Sequence, residues 1–159
     1  MEQIRNKLLN GIKLFDKIAI EQNIEIWKRI DRYDHYLVSS LGRVKNEKTN
    51  RILKLGFDKG YHQVSLSKKD VKKTGRIHQL VAYAFIENPL NKPIIDHKNN
   101  NKTDNSVKNL RFVTYKENNY NTPISKSNTS TVKGVFWDKG RNKWCSKIKI
   151  NYESIYIGR

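Results

Sequence analysis

The residues best suited to chemistry lie between Ile95 and Asn121. Asp96 and His97 are adjacent, so an oxygen ligand for a hard cation stands beside a side chain whose ordinary pKa suits it to take a proton from water near neutral pH. Asn118 follows in a segment that we predict to be helical, and its amide supplies a further oxygen. This combination is typical of a hydrolytic site that activates water.

Three predicted elements position these side chains. Strands are predicted over residues 93–96 and 110–113, with a polar loop between them. Thr114 and Glu117 have the spacing of a capping box, so a short helix should begin there. The side chains expected along one side of this helix are Glu117, Asn118 and Asn121.

The charge of the chain indicates its partner. Its 159 residues include 32 lysines and arginines against 15 aspartates and glutamates, for a net charge of +17. A chain this basic fits a polyanion such as nucleic acid. An anionic membrane surface is the rival, but the longest apolar run, residues 80–86, is far shorter than the roughly 20 residues that span a bilayer. The composition therefore favours a nucleic-acid-binding protein.

The cysteine and histidine content limits the covalent and metal chemistry. Cys145 is the single cysteine, which excludes an internal disulfide, and the N-terminus lacks the apolar core of a secretory signal. We therefore expect a cytosolic protein that is not secreted. One cysteine and four scattered histidines do not supply the clustered ligands of a structural zinc site, so any bound metal should be a hard cation held by oxygen.

The N-terminal segment is predicted to be an amphipathic helix. Residues 4–19 carry an apolar stripe at steps of three and four. The stripe consists of Ile4, Leu8, Ile12, Phe15 and Ala19. We expect this helix to dock on its own domain, and a partner-binding helix is the alternative.

The rest of the chain is predicted to alternate small sheets with one helix. Short strand-like runs separated by Gly, Asn and Lys turns predict an antiparallel sheet from Trp27 to about Leu66. A helix from about residue 76 to 87 must stop at Pro89, because proline disfavours helical geometry in the residue before it. In a last strand, alternation predicts a buried face of Trp144, Ser146, Ile148 and Ile150. The exposed, basic face would carry Cys145, Lys147 and Lys149.

These motifs resemble a known family. The segment with Asp96, His97, Asn109 and Asn118 resembles the HNH endonucleases, specifically the phage and intron-encoded homing enzymes in which the final histidine is an asparagine. The runs that resemble the modules found before this nuclease domain begin at Glu25, Val38 and Ile77. Residues 133–159 resemble the three-stranded DNA-binding domain of plant ethylene-response factors, so the resemblance covers roughly residues 25–159.

The resemblance implies a ββα-metal site. Asp96 and Asn118 would hold one divalent cation, and two oxygen ligands fit Mg²⁺ or Mn²⁺ better than Zn²⁺. His97 would be the general base that accepts a proton from water. Asn109 would tie the loop and orient His97 without taking part in the chemistry.

Neighbouring polar residues are expected to have other roles. Asn119 should point about 100° further round the helix than Asn118. Asp104 and Asn105 are expected to make turn hydrogen bonds rather than to bind metal. His78 lies on a helix whose stripe faces the core, so a packed or phosphate-contacting role is expected. No role is predicted for His35 or His62.

Basic side chains are the predicted contacts to double-stranded DNA. A rim that contacts only phosphates would include Arg43, Lys45 and Arg76. Strand residues of the last module that would enter the major groove are Trp137, Arg141, Lys143, Lys147 and Lys149. The plant-type domain has arginines where this chain has Phe136 and Lys149, so we expect little base readout at these two positions.

We predict an α+β fold that is modular and elongated, with a ββα-metal nuclease core flanked by small antiparallel-sheet modules. Its segments are a helix (1–24), a sheet module (25–72), the nuclease domain (73–121), a linker (122–131) and a three-stranded module (132–159). The plant-type domain continues past the Gly158 position into a helix that covers its sheet. We therefore expect a truncated last module that leaves Ile148, Ile150, Ile155 and Ile157 uncovered; packing on the nuclease body and poor order are the alternatives.

One metal site per chain predicts a monomer that nicks one strand of duplex DNA and needs no protein partner. Two other functions remain open. A non-cleaving DNA-binding regulator would not need Asp96, His97 and Asn118 intact. A structured-RNA binder suits the charge equally, but it would display paired aromatics on exposed strands, whereas Phe112 and Trp144 are expected in the core.

Overall fold

The computed structural model describes residues 1–68, 71–150 and 153–158, with side chains except those of Lys149 and Ile150. Its backbone divides into two compact units, residues 1–121 and 122–159. The predicted α+β class is confirmed, because the described residues form three α-helices and several small antiparallel sheets. The division between the units falls where the linker was predicted to begin.

The helices of the first unit are α1 (Glu2–Glu21), α2 (Ile77–Phe85) and α3 (Tyr115–Asn121). Its strands are β1 (Trp27–Ile30), β2 (Tyr33–Ser39), β3 (Val44–Asn46), β4 (Arg51–Ile52), β5 (Gly56–Asp58), β6 (Tyr61–Lys68), β7 (Val71–Arg76), β8 (Ile94–His97) and β9 (Leu110–Val113). The second unit contains β10 (Val135–Asp138), β11 (Lys143–Ile150) and β12 (Glu153–Gly158). The described sheets have the orders β1-β2-β3-β4, β5-β6-β7, β8-β9 and β10-β11-β12.

One apolar core joins the sheet module to the nuclease segment. Val38 and Leu66 of the first two sheets pack in the same buried cluster as Ile77 and Val81 of α2 and Leu110 of β9. Each of these side chains is at most 2% exposed. The boundary predicted between residues 72 and 73 therefore falls inside β7 and within one compact unit.

Helix α1 forms as predicted but exposes most of its apolar stripe. Ile4, Leu8 and Phe15 are 73%, 65% and 65% exposed, whereas Ala19 is 2% exposed. The helix is held at its C-terminal end, where Lys108 Nζ donates to the Glu21 carbonyl at 2.9 Å. The expectation that the stripe docks on its own domain is therefore wrong except in the last turn. None of the described helices combines the length and apolar character needed to cross a membrane.

The burial of Trp144 and Cys145 in the second unit is the reverse of the one predicted. Trp137 of β10 pairs with Trp144 of β11, and the two are 39% and 44% exposed. Cys145 is 1% exposed and pairs with Phe136 on the other face, where a small thiol can be enclosed more completely than an indole. The core position predicted for Trp144 is therefore wrong. The exposure predicted for Ile148, Ile155 and Ile157 is observed, at 40%, 46% and 66%, and the side chain of Ile150 lies outside the described part.

Helix α2 carries a histidine into the interior. His78 is 6% exposed, and its Nδ1 has no hydrogen-bond partner among the described atoms. Burial lowers the pKa of His78 from 6.5 to about 4, and the nearby His97 and Arg76 act in the same direction. His78 is therefore neutral in the folded chain near pH 7.

This burial predicts a specific sensitivity to acid. The unfolded chain binds a proton at His78 below pH 6.5 and the folded chain only below about 4, so stability is lost as the pH falls through that window. The loss should reach about 3 kcal/mol. We expect urea unfolding to show a smaller loss between pH 7 and pH 4.5 for His78→Phe than for the unsubstituted chain. Replacing the exposed His35 by alanine is the control, and parallel pH profiles for His78→Phe and the unsubstituted chain would contradict this expectation.

Candidate active site

Strand β8 carries both predicted catalytic residues to its end. Asp96 and His97 are its last two residues, and they are 7% and 6% exposed. β9 pairs antiparallel with β8, so Arg111 lies opposite Asp96. Because successive strand residues point to opposite faces, the carboxylate and the imidazole leave the strand on different sides.

The carboxylate of Asp96 is held by two groups. Arg111 donates from Nε and Nη2 to Asp96 Oδ2 at 2.9 and 2.8 Å. The amide of Asn121 donates to Oδ1 at 3.1 Å and to Oδ2 at 3.0 Å. These bonds compensate the charge of a buried carboxylate, which is costly to leave unpaired. The sequence analysis missed Arg111, and only the register of the strand pair identifies it.

Helix α3 brings an amide to the strand end. Its capping box is present as predicted, since Thr114 N donates to Glu117 Oε2 at 2.6 Å and Glu117 N donates to Thr114 Oγ1 at 3.2 Å. Asn121 Nδ2 reaches the His97 carbonyl at 3.0 Å as well as Asp96. The α3 residue that contacts Asp96 is therefore Asn121. Asn121 was predicted on this side of the helix, but it was not among the predicted metal ligands. Asn118, one turn earlier on that side, stays a predicted ligand.

The side chain of Asn109 ties the loop between β8 and β9. Its Oδ1 accepts from Asn99 N at 3.0 Å, and its Nδ2 donates to the Asp104 carbonyl at 2.8 Å. Its own carbonyl accepts from Lys98 N at 2.8 Å, next to His97. The loop geometry expected of Asn109 is thus present, and its contribution to catalysis stays a prediction.

Asp104 makes the turn hydrogen bonds that were predicted for it. Ser106 donates to Asp104 Oδ1 from its hydroxyl at 2.7 Å and from its backbone N at 3.2 Å. Asn99 Nδ2 donates to Oδ2 at 3.0 Å. Burial raises the pKa of Asp104, but these hydrogen bonds outweigh it and the pKa is lowered overall.

The imidazole of His97 sits among polar and aromatic groups. Its Nε2 lies 3.3 Å from Asn105 Oδ1. The ring centroids of His78 and Tyr61 are 5.3 and 6.2 Å away. Asn105 is 4% exposed, and its Nδ2 lies 3.4 Å from His62 Nδ1. It therefore makes side-chain contacts beyond the turn hydrogen bonds that were predicted for it. The burial of His97 and the role of Asn105 were not visible in the sequence.

The oxygens at the end of β8 fit a hard cation. Both carboxylate oxygens of Asp96 and the carbonyl of His97 accept hydrogen bonds from Asn121 Nδ2 within 3.1 Å, and oxygens of these types are ligands that Mg²⁺ and Mn²⁺ prefer. In the described part of the chain no three His, Cys, Asp or Glu side chains cluster, so amide or backbone oxygens would have to complete the set. A cleft of about 520 Å³ opens beside this point, lined by Arg111, Asn121 and Lys92 among others.

The predicted phosphate-contacting residues of the first unit are partly engaged by other side chains. Arg43 donates to both carboxylate oxygens of Glu25, and this bond lowers the pKa of Glu25. The Lys45 ammonium lies 4.6 Å from the centre of the Trp27 ring. The Arg76 guanidinium lies 5.1 Å from the centre of the Tyr61 ring, close to His97. Arg76 thus shares the neighbouring Tyr61 ring with the candidate catalytic His97.

The predicted DNA contacts of the second unit lie on its strands and turn. Trp137 and Trp144 meet edge to face with ring centres 5.3 Å apart. Arg141 pairs with Asp138 at 3.8 Å, and the Lys147 ammonium lies 5.4 Å from the centre of the Phe136 ring. Lys143 begins β11 and is exposed. The side chain of Lys149 lies outside the part that the structure describes, so its predicted contact stays open.

Comparison with known proteins identifies the two segments of the first unit. The family model described as HNH endonuclease matches residues 76–120, and the one described as NUMOD4 motif matches residues 25–67. The HNH match contains Asp96, His97, Asn109 and Asn118. The likeness of residues 133–159 to the plant domain stays a prediction.

Two similar proteins are also named as endonucleases. An HNH endonuclease of Acanthamoeba polyphaga mimivirus is 36% identical over 138 residues, which cover 83% of this chain and 40% of that protein. DNA endonuclease I-HmuI of Bacillus phage SP01 is 43% identical over 94 residues, covering 58% of this chain and 54% of that protein. The chain thus spans about half or less of the length of these relatives.

A solved structure has a similar fold. The structure described as DNA binding and cleavage by the HNH homing endonuclease I-HmuI matches with a TM-score of 0.57 and 42% sequence identity. The match covers 60% of this chain and 56% of that chain. Residues 76–120 therefore resemble the HNH endonucleases over the span of one domain, and they follow a segment that matches the NUMOD4 motif.

Proposed function

We propose that the chain is a metal-dependent endonuclease that hydrolyses a phosphodiester in duplex DNA and nicks one strand as a monomer. The observation that carries the proposal is the pairing, at the end of β8, of a buried carboxylate with the adjacent imidazole of His97. A second element, α3, brings an amide to the same carboxylate. The names of the matched relatives, which include DNA endonucleases, support this assignment.

Asp96 and Asn118 are the proposed holders of one Mg²⁺ or Mn²⁺ ion. When bound, the cation would act as a Lewis acid on the phosphoryl oxygen and the leaving group. Oδ1 of Asp96 is the less occupied oxygen, since Arg111 donates twice to Oδ2. Arg111 holds the carboxylate in place while Oδ1 faces the Asn121 amide. The site thus combines a fixed oxygen ligand with a nearby guanidinium suited to a phosphate oxygen.

His97 is the proposed general base. A base must lie within hydrogen-bond reach of the proton it removes, and the ring is held at the strand end by its neighbours. The imidazole accepts a proton from water as that water attacks phosphorus. His78 stays neutral beside it, since its pKa is about 4, so it adds no fixed positive charge that would oppose protonation of His97. One such site per chain cuts one strand.

The phosphate backbone of the substrate would be held by cations of the first unit. Arg76 and Lys102 both lie over the Tyr61 ring, at 5.1 and 4.7 Å, next to His97. Lys92 and Arg111 line the cleft beside Asp96. Such contacts place the duplex without reading its sequence.

The exposed tryptophans support a second candidate function, the binding of structured RNA. The absence of paired aromatics on exposed strands had argued against an RNA reader, but Trp137 and Trp144 form such a pair on β10 and β11. Aromatic side chains of this kind stack on unpaired bases. Competition between duplex DNA and structured RNA at matched salt decides between the two candidates, and preference for duplex supports the endonuclease.

Replacing His97 by alanine should abolish nicking and leave DNA affinity unchanged, because the imidazole is proposed to act on water and not on the DNA backbone. A supercoiled plasmid assay with Mg²⁺ measures the nicking rate, and a binding assay with Ca²⁺ measures affinity. The rate should fall at least about 100-fold. His35→Ala, which alters an exposed histidine, is the control. Cleavage by the His97 variant at the parental rate would show that another group is the base.

Replacing Lys147 and Lys149 together by alanine should weaken DNA binding and flatten its salt dependence. Each lost phosphate contact should reduce the slope of log affinity against log salt by about 0.9. The double substitution Lys7→Ala with Lys17→Ala on exposed α1 removes the same charge elsewhere. Equal slopes for the two double variants would mean that β11 makes no phosphate contacts and that only net charge matters.

A further inference from the structure

We propose that a hydrogen-bond relay from the NUMOD4 motif, running from His62 through Asn105, holds His97 in the tautomer that leaves Nδ1 as the proton acceptor. The inference rests on the proposed endonuclease function for its catalytic meaning. It assigns Asn105 and His62 as positioning residues. It also makes the NUMOD4 motif part of the nuclease scaffold.

The orientation of the Asn105 amide follows from its partners. Asn105 Nδ2 lies 3.1 Å from the Thr103 carbonyl oxygen, which can only accept a hydrogen bond. The nitrogen end of the amide must therefore face Thr103. The same Nδ2 lies 3.4 Å from His62 Nδ1, so its second hydrogen points at that ring nitrogen. The Thr103 carbonyl thus fixes the nitrogen end without any assumption about His97, and His62 Nδ1 then serves as a second acceptor.

The oxygen end then determines the state of His97. With Nδ2 turned away, Oδ1 is the atom 3.3 Å from His97 Nε2. An amide oxygen only accepts, so Nε2 must carry the hydrogen. A neutral imidazole has one protonated nitrogen, which leaves the lone pair on Nδ1. Nδ1 is therefore the nitrogen that can take a proton from water.

Burial of Asn105 and His97 makes it difficult for water to replace the hydrogen bonds of this relay. Asn105 is 4% exposed, so water has little access to substitute for its bonds. A buried polar group left without its partner costs about 1–3 kcal/mol. His97 is 6% exposed and is subject to the same constraint. The favourable state of the relay is therefore the fully bonded one.

The NUMOD4 motif also holds the backbone around Asn105. Gly42 has φ of +85°, and a Cβ added there would lie 2.9 Å from Asn105 Cβ, so the motif approaches as closely as glycine permits. The Ser40 carbonyl accepts from Val107 N at 2.9 Å, two residues beyond Asn105. Backbone contacts on one side and His62 on the other thus fix Asn105 against the nuclease loop.

The relay is tested by the tautomer of His97 in the full chain. Uniformly ¹⁵N-labelled protein without metal, in alkaline buffer where imidazole is neutral, gives separate long-range ¹⁵N–¹H patterns for the two tautomers. The unsubstituted chain should show His97 with the hydrogen on Nε2. Asn105→Ala should populate both tautomers of His97. Asn101→Ala, an exposed asparagine of the same loop that bonds only within its turn, is the matched control and should leave His97 unchanged.

The catalytic meaning is tested by single-turnover nicking with the same variants. Asn105→Ala should lower the rate about 10- to 100-fold, the usual loss for a residue that orients another, with DNA affinity unchanged. Should Asn105→Ala fail to fold, His62→Ala interrupts the relay at its far end, and an altered tautomer ratio with a slower rate is again expected.

The outcomes separate the relay from the proposed function. A hydrogen on Nδ1 in the unsubstituted chain, or an unchanged tautomer in Asn105→Ala, overturns the relay whatever the cleavage assay gives. A changed tautomer with an unchanged nicking rate overturns its positioning role. A changed tautomer in a chain that never cleaves DNA supports the hydrogen-bond relay and removes the endonuclease proposal instead.

Discussion

The structure depends on the compensation of one buried charge, the carboxylate of Asp96. At 7% exposure this group requires partners, and it has a guanidinium from β9 and an amide from α3. The three elements of the ββα unit therefore meet at one side chain. A carboxylate fixed in this way keeps its oxygens in place before any cation arrives. The same contacts that stabilise the unit thus prepare a ligand for chemistry.

A second constraint is that residues 76–120 share their core with the preceding sheets. Ile77 and Val81 of α2 and Leu110 of β9 pack in one buried cluster with Val38 and Val64 of residues 25–67. The same segment contacts the active-site loop through Ser40 and Gly42. Residues 25–67 and 76–120, which match two separate family models, therefore fold as one unit. A change in the contacts of residues 25–67 therefore acts directly on residues 76–120.

Local patterns were predictable from the sequence, and pairings between distant residues were not. The capping box of Thr114 and Glu117 and the end of α2 before Pro89 depend on neighbouring residues, and both occur as predicted. The contact between Asp96 and Arg111 depends on strand register, which spacing alone does not fix. Asn118 and Asn121 lie on one side of the helix, three residues or about 4.5 Å apart along its axis, so only the docking of α3 decides which of them reaches Asp96.

The buried face of a helix or strand was less predictable than the helix or strand itself. Alternation identified β11 but not which of its faces would be covered, because Trp144 and Cys145 both suit a core by composition. The stripe of α1 was identified correctly, yet periodicity does not show whether a partner surface exists within reach. The burial of Asn105 likewise depends on the approach of Gly42, which is 63 positions earlier in the chain.

The most direct test of the account is the position of a cation in crystals of the chain with DNA and Mn²⁺, located by its anomalous scattering. The account predicts a peak within ligand distance of an Asp96 carboxylate oxygen and of an amide oxygen from α3, and the peak also decides between Asn118 and Asn121. A peak bound elsewhere, with Arg111 and Asn121 still occupying the Asp96 carboxylate, would contradict it.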